Sequence, residues 1–466
     1  MPKRHKGIYV IDMQDTDTSF RDRPINIDER GSRKWVYAKK PKGKWYTRRT
    51  IFSWFVLLFF LVVPFIRVNG NPFILLDISS RNFILFGAIF WAQDTFILAL
   101  LMLSFILFII LFTVTYGRLW CGWACPQTIF LEMVFRKIEY LVEGDFRKRL
   151  KLDKGPWTFE KIWKKLLKHS IFILISLMMT NTFLMWFIGS EKWLILIAEP
   201  ISENFSGFVV MLIVSGFFYW VYSYFREQIC TMVCPYGRMQ GVLLDSKSIV
   251  VSYDYKRGEP RGAKTKGDCI DCGQCIFVCP IGIDIRNGTQ LECINCTACI
   301  DQCNTVMKRT AKDPGLIRFD SDTGIKEGHK TIWNSRNRAY TVVLILLFSF
   351  FIYTLLSRPV IETTILRTPG LLYQENTDNI ISNLYNIKIV NKTHDYLPLE
   401  IRLISHEGEI IMAGSKMEIE DQAMFESTFI LFIDREVLES DNTDVEFGIY
   451  SKDELIETYK TNFVGP

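Results

Sequence analysis

Twelve cysteines fall into two sets, and their spacing sorts them by chemistry. Eight form an internal repeat: Cys269-x2-Cys272-x2-Cys275-x3-Cys279-Pro280, then Cys293-x2-Cys296-x2-Cys299-x3-Cys303, with thirteen residues between Cys279 and Cys293. Three thiolates spaced two residues apart can wrap one iron–sulfur cube, and the fourth of each run reaches across to the other cube. The expected ligand sets are therefore Cys269, Cys272, Cys275 and Cys303 for one [4Fe-4S] cluster, and Cys293, Cys296, Cys299 and Cys279 for the other. Paired C-x2-C is also zinc spacing, but zinc takes four ligands in two close pairs. Here a third cysteine follows at once and the unit is duplicated. Disulfides are disfavoured because eight packed thiols on the reducing side of a membrane stay reduced.

The other four form matched motifs, Cys121-x3-Cys125-Pro126 and Cys230-x3-Cys234-Pro235. Proline suits the first turn of a helix. The i, i+4 spacing puts both thiols of a pair on one face, and a helix N-terminus nearby would favour the thiolate. Soft thiolates suit Cu(I) or a further iron–sulfur cluster. If the two motifs are neighbours, Cys121, Cys125, Cys230 and Cys234 make one candidate copper or redox site, with a dithiol–disulfide relay as the remaining option. Met232 and Met239 stand beside the second motif as possible thioether donors, although such methionines more often pack. Haem is not expected: of five histidines only His169 falls at the end of an apolar run, so no bis-histidine pair can form in the membrane.

Something must hold these thiols at a membrane surface. The chain is 49% hydrophobic yet 23% charged, so its apolar residues are concentrated. Five runs approach the roughly 20 residues that a bilayer demands: Thr50–Ile66, Thr95–Tyr116, Ser170–Ser190, Phe205–Phe225 and Ala339–Ser357. A shorter run, Phe83–Ala92, precedes Gln93 and Asp94 and reads as an interfacial or re-entrant piece. Residues 1–50 hold 14 Lys/Arg against 6 Asp/Glu, whereas 359–466 hold 8 against 20. Basic residues also crowd 116–168 and 227–338, which places the N-terminus and the cysteine repeat in the cytoplasm and the C-terminus outside. Met1–Arg49 lacks the apolar stretch of a signal peptide and reads as a solvated basic arm, with anionic lipid as its alternative contact. Phe159, Ile162, Trp163, Leu166 and Leu167 follow helical spacing with lysines between them. They form either a basic helix in the headgroup region or a lead-in to the third membrane helix.

From Pro359 the chain has no cysteine, and runs such as Leu384–Val390, Leu399–Ile404, Phe429–Ile433 and Val445–Tyr450 alternate between turn signals. An immunoglobulin-like β-sandwich without a disulfide is expected, serving as a docking module. Its histidines, His394 and His406, read as surface residues.

The expected organisation is a multi-domain membrane protein. A cytoplasmic basic segment (1–49) precedes an α-helical bundle whose first four helices fill 50–226. The segment 227–338 carries the second C-x3-C-P and an inserted α+β two-cluster ferredoxin-like domain (about 260–312). The fifth helix (339–357) leads to the β-sandwich (358–466).

The repeat resembles the two-cluster bacterial ferredoxins, with Asn304 where a proline commonly follows the last cysteine. Together with Gly117-Arg118-Leu119-Trp120-Cys121-Gly122-Trp123-Ala124-Cys125-Pro126, the second C-x3-C-P, five membrane helices and an exported β-sandwich, it resembles the CcoG/FixG/RdxA family, accessory proteins of cbb3-type cytochrome c oxidase assembly. That resemblance implies a multi-pass protein of the bacterial inner membrane with two [4Fe-4S] clusters and a periplasmic C-terminal domain. It also implies reduction of Cu(II) to Cu(I) for the oxidase, with Cys121, Cys125, Cys230 and Cys234 handling copper. Partners would be oxidase subunits or copper-delivery proteins, the lipid bilayer and a cytoplasmic electron donor, since no nucleotide or flavin motif supplies electrons internally. No nucleic-acid partner is expected, and self-association stays open. The rival functions are a quinol dehydrogenase built from the same parts and a non-enzymatic assembly scaffold.

Overall fold

The computed structural model describes Arg33 and residues 35–465 except 69, 79–81, 91–93, 264, 329–334, 358, 360, 369–372, 376–378, 394–395, 415–416, 421–422 and 439. Most of the basic arm, together with His394, thus lies outside the described residues. Two compact units emerge: one spans residues up to 66, 72–80 and 98–348, and the other 67–71, 81–97 and 349–466.

Among the described residues, five helices are long and apolar enough to cross a membrane: Lys44–Phe65, Thr95–Tyr116, Phe159–Ile188, Phe205–Phe225 and Ser335–Leu356. At 1.5 Å per residue, 22 residues reach about 33 Å, which matches a bilayer core. The first helix begins earlier than hydropathy suggests because its start is held from outside. The Asp301 carboxylate accepts the backbone N–H groups of Trp45 and Tyr46 at 3.2 and 2.8 Å. Gly43 sits against that carboxylate where no Cβ fits. One turn into the helix, the buried Arg49 donates Nε to the Gly122 carbonyl at 2.7 Å.

The stretch from Phe159 is no separate interfacial helix. It forms the first turns of the third membrane helix, capped by Thr158, whose side chain accepts from the Lys161 N–H. Its amphipathy is inverted relative to a soluble helix. Phe159, Ile162, Trp163 and Leu166 are exposed, while Lys161 and Lys168 are buried. Lys165 and Lys168 reach Glu143 at 2.8 and 2.9 Å, so the charged face is the one turned into the protein.

The run Phe83–Ala92 also departs from expectation. Strands Asn82–Leu85 and Ala88–Phe90 pair antiparallel across Phe86-Gly87. Both turn residues have positive φ, 55° and 82°, the conformation of a two-residue hairpin turn. Ten apolar residues can satisfy their backbone in a hairpin more readily than in a helix too short to span.

In the same unit lies the β-sandwich. One sheet orders its strands Gly408–Ala413, Met424–Asp434, Ile380–Asn391, Ile361–Arg367, and the other Glu400–Leu403, Asn442–Ser451, Glu454–Val464. Alternate residues point inward, so Tyr385, Phe429, Phe447 and Phe463 are fully buried. Tyr385 and Phe429 stack at 5.3 Å, and Phe447 meets both edge-on.

The cysteine repeat folds around two short helices, Gln274–Val278 and Ala298–Arg309, flanked by the antiparallel strands Val250–Tyr253 and Ile317–Asp320. Val278, Ile281, Ile283, Ile285, Ile294 and Ile300 pack among the cysteines as one core. Asn304, in the place of the usual proline, accepts the Gly315 N–H at 2.8 Å and ties the second helix to the segment leading into the last strand.

Candidate functional site

Each half of the repeat turns the same way. Asp271 and Gly273 flank Cys272 with φ of 56° and 63°, and Asn295 and Thr297 flank Cys296 with 51° and 66°. Gly, Asp and Asn adopt this left-handed region at little cost, but β-branched Thr297 does not. It is held there fully buried, with its hydroxyl on the Cys296 carbonyl at 2.6 Å. Strain of this kind persists where the surroundings over-determine it, commonly at functional sites.

These turns gather the thiols around two cavities. Cys269, Cys272, Cys275 and Cys303 line one, with Leu316 and Ile317 on its wall. Cys279, Cys293, Cys296 and Cys299 line the other, with Ile281, Ile283 and Ile294, and Cys275 stands on the wall between the two. Cys303 and Cys279 thus each line the cavity of the other run. Among the described residues no three His, Cys, Asp or Glu side chains converge on a point where one ion would sit. Burial raises the pKa of Cys275, Cys293 and Cys303 to about 12, and raises Cys279 and Cys299 as well, with neighbouring thiols adding to the effect. Such thiols give up protons only to a metal.

The outlying cysteines meet as well. Cys121 lies in a short helix, Leu119–Trp123, and Cys125 is the N-cap of Pro126–Ile129, which runs on through a π-helical turn, Phe130–Phe135. Cys230 lies in the π-helical turn Ile229–Val233, and Cys234 caps Pro235–Leu243. Both prolines take the first helical turn, as their sequence position implies. The charges of Cys125 and Cys234 act on one another, as do those of Cys230 with Cys121 and Cys125, so the four thiols lie near one another, although among the described residues no three of them converge on a point where one ion would sit. The expectation that helix N-termini would favour the thiolates is not met at Cys121, Cys125 or Cys230. Burial raises Cys125 despite the backbone N–H groups of Thr128 and Gln127, raises Cys121, and lifts Cys230 to about 12. Met232 and Met239 are exposed.

This four-thiol site abuts the second cavity. Gly122, between the two cysteines of its motif, packs on the Ile294 carbonyl. Trp123 donates its indole N–H to the Asn295 carbonyl at 3.2 Å, and the Asn295 amide accepts the Val251 N–H at 3.1 Å. The buried Arg118 donates to the Leu291 carbonyl, and its charge acts on Cys121, Cys230 and Cys293 together. Arg118, Gly122 and Asn295 were not singled out from sequence. The only available hint was that Gly122 and Asn295 stand inside C-x-x-C-type spacings, where backbone approach is close.

The two histidines among the described residues stand apart from the thiols. His169 pairs with the Tyr219 hydroxyl at 2.9 Å through Nδ1, and His406 is exposed beside Ser405.

Comparison with known proteins agrees with this division. A 4Fe-4S dicluster domain profile matches residues 225–266 and 259–322, a 4Fe-4S binding domain profile matches 98–152, and the profile of the IG-like fold at the C-terminus of FixG matches 351–466. The chain is 33% identical to Protein RdxA of Cereibacter sphaeroides, over 76% of this chain and 79% of the relative. It is 32% identical to Protein RdxB of the same organism, over 79% and 82%, and 37% identical to the Nitrogen fixation protein FixG of Rhizobium meliloti, over 62% and 57%.

Proposed function

Because the chain belongs to the FixG/RdxA family and is a multi-pass iron–sulfur electron-transfer protein, we propose that it reduces Cu(II) to Cu(I) at the bacterial inner membrane for assembly of a cbb3-type cytochrome c oxidase. One observation carries the reading: a site of four thiols pressed against the second cysteine-lined cavity, on the basic side of the membrane.

In this reading Cys269, Cys272, Cys275 and Cys303 hold one [4Fe-4S] cluster, and Cys279, Cys293, Cys296 and Cys299 the other. When bound, the clusters supply single-electron transfer. The isoleucines around the second cavity exclude water. Gly122 and Asn295 keep the copper-side loop and the cluster-side loop in contact. Cys121, Cys125, Cys230 and Cys234 receive copper, each Cu(II) taking up one electron to become Cu(I), the state that thiolates favour. Arg118 places a fixed positive charge beside thiols of both sites, stabilising the thiolate forms. The C-terminal sandwich, which contains no cysteine, serves docking to oxidase or copper-delivery proteins.

The test is anaerobic. Purified, chemically reduced protein is mixed with Cu(II) and a Cu(I)-specific chelator, and cluster oxidation is followed alongside chelated Cu(I). Matched loss of both signals in Cys121→Ser with Cys230→Ser, with iron content retained, supports the proposal. No Cu(I) above the protein-free control refutes it.

A further inference from the structure

A cavity of about 700 Å³ opens at the same end of the helices as the thiols, and nothing above uses it. Its walls come from the first turns of the third membrane helix, the last turns of the fourth and the covering segment around Trp35 and Tyr37. Trp220 and Tyr224, at its rim, are 45% and 52% exposed on the membrane-helix surface. A ligand entering here would come from the bilayer boundary, and it would meet flat aromatic walls.

The charges on the walls exclude a phosphate headgroup. Each cation there already holds a carboxylate: Arg149 and Arg226 take Glu139 at 2.7 and 2.5 Å, and Lys165 and Lys168 take Glu143 at 2.8 and 2.9 Å. An anion would have to break these buried pairs, at a cost that desolvation makes steep. A neutral head with hydrogen-bonding oxygens needs no such exchange, and two groups stand ready for it. Arg149 is 4% exposed, and its Nη1 has no hydrogen-bond partner among the described residues. His169 meets the Tyr219 hydroxyl at 2.9 Å through Nδ1, and in the tautomer whose Nδ1–H donates to that oxygen, Nε2 is left as a proton acceptor for a ligand.

The cavity also adjoins the thiol site. Tyr219, Trp220, Ser223 and Tyr224 line it, whereas Tyr222, on the π-helical turn Val221–Phe225, is buried near enough to Cys125 and Cys230 for their charges to act on it. One turn of helix thus has the cavity on one side and the thiols on the other, and π-helical turns cluster at functional sites.

We propose that this cavity binds a membrane quinone and that the hydroquinone form is the electron donor to the chain. Oxidation breaks both O–H bonds of the hydroquinone and releases two protons and two electrons. One proton goes to His169 Nε2 and the other through the half-buried Asp153 carboxylate to solvent, while the electrons leave singly to the iron–sulfur acceptors of this chain. The proposal rests on the electron-relay reading but is independent of copper.

The test uses the full chain in detergent. Calorimetric titration with an oxidised short-tail benzoquinone or naphthoquinone is expected to show saturable binding. Binding is lost in Ser223→Phe, which fills the cavity, and weakened in Trp35→Ala, which removes a wall without entering the helix packing. Anaerobic mixing with the corresponding hydroquinone is expected to bleach the iron–sulfur absorbance. His169→Gln should slow that step about a hundredfold, in the range of a lost general base, while quinone binding persists. Absence of saturable binding, binding unchanged in both cavity variants, or stoichiometric displacement by phosphatidylglycerol overturns the proposal. Reduction by dithionite without quinone binding refutes this donor alone, whereas failure of dithionite to reduce the protein refutes the relay itself.

Discussion

Gly122 and Ile294 meet with no room for a Cβ between the glycine and the isoleucine carbonyl. The contact joins the loop of the first C-x3-C-P to the loop that opens the second half of the cysteine repeat. Gly122→Ala must push one loop away. Overpacking of this kind costs about 1–3 kcal/mol, so the melting temperature should fall. Copper reduction should fall more steeply than cluster content, because what is lost is the juxtaposition of the two sites. Unchanged melting would mean that the loops separate freely.

The crossed arrangement of the repeat makes a distinctive prediction about iron. If Cys279 serves the cavity of Cys293, Cys296 and Cys299, then Cys279→Ser combined with Cys296→Ser should lose about four of eight iron atoms, no more than Cys296→Ser alone. Cys279→Ser combined with Cys272→Ser should lose nearly all eight, because it damages both cavities. Iron analysis and EPR of the reduced variants decide this. The opposite pattern would uncross the assignment.

These two cases mark what could be read from the chain. The gathering of the cysteines around two cavities was legible because it depends on local spacing, and they lie within 35 positions of one another. The Gly122 contact was not, because it joins residues 172 positions apart and a glycine advertises only that something comes close. The hairpin at Asn82–Phe90 was obscured for another reason: its turn residue Phe86 is an unusual occupant of a left-handed position, so the apolar run looked unbroken. The inverted face of the third helix was hidden too. The lysine pattern was plain, but the carboxylates that draw it inward come from Glu143 and Asp153 on a separate segment.

Acid should destabilise the cavity wall in a defined window. Burial alone would raise the pKa of Glu139, but Arg226 and Arg149 outweigh it and hold the carboxyl at about 2, against an ordinary value of 4.5. A folded pKa below the unfolded one means the stabilisation is present above about pH 4.5 and is lost as pH falls toward 2. Glu139→Gln should therefore be less stable than the parent at pH 7, by about 3–5 kcal/mol, because two buried guanidinium groups lose this partner. Its stability should also vary less with pH across the acid window. Denaturant melts at pH 7, 4 and 3 check both expectations, and parallel curves for the two proteins would show that the pair contributes nothing.

Lys392 supplies the last case, within the unit that holds the β-sandwich. Its ammonium, with a side chain 3% exposed, lies 2.8 Å from Asp94 and 2.6 Å from Glu362. Asp94 stands immediately before the second membrane helix, so this buried pair ties the sandwich to the segment leading into it. Lys392→Met leaves carboxylates buried beside an apolar side chain and should cost about 3–5 kcal/mol. Asp94→Asn made together with Lys392→Met should recover much of that, since removing both charges relieves the desolvation penalty that one left alone would carry. A double-mutant cycle by thermal melting measures the coupling. A sum equal to the two single effects would mean the pair is incidental. A large coupling would instead show that Lys392 and Asp94 stabilise each other as a buried pair.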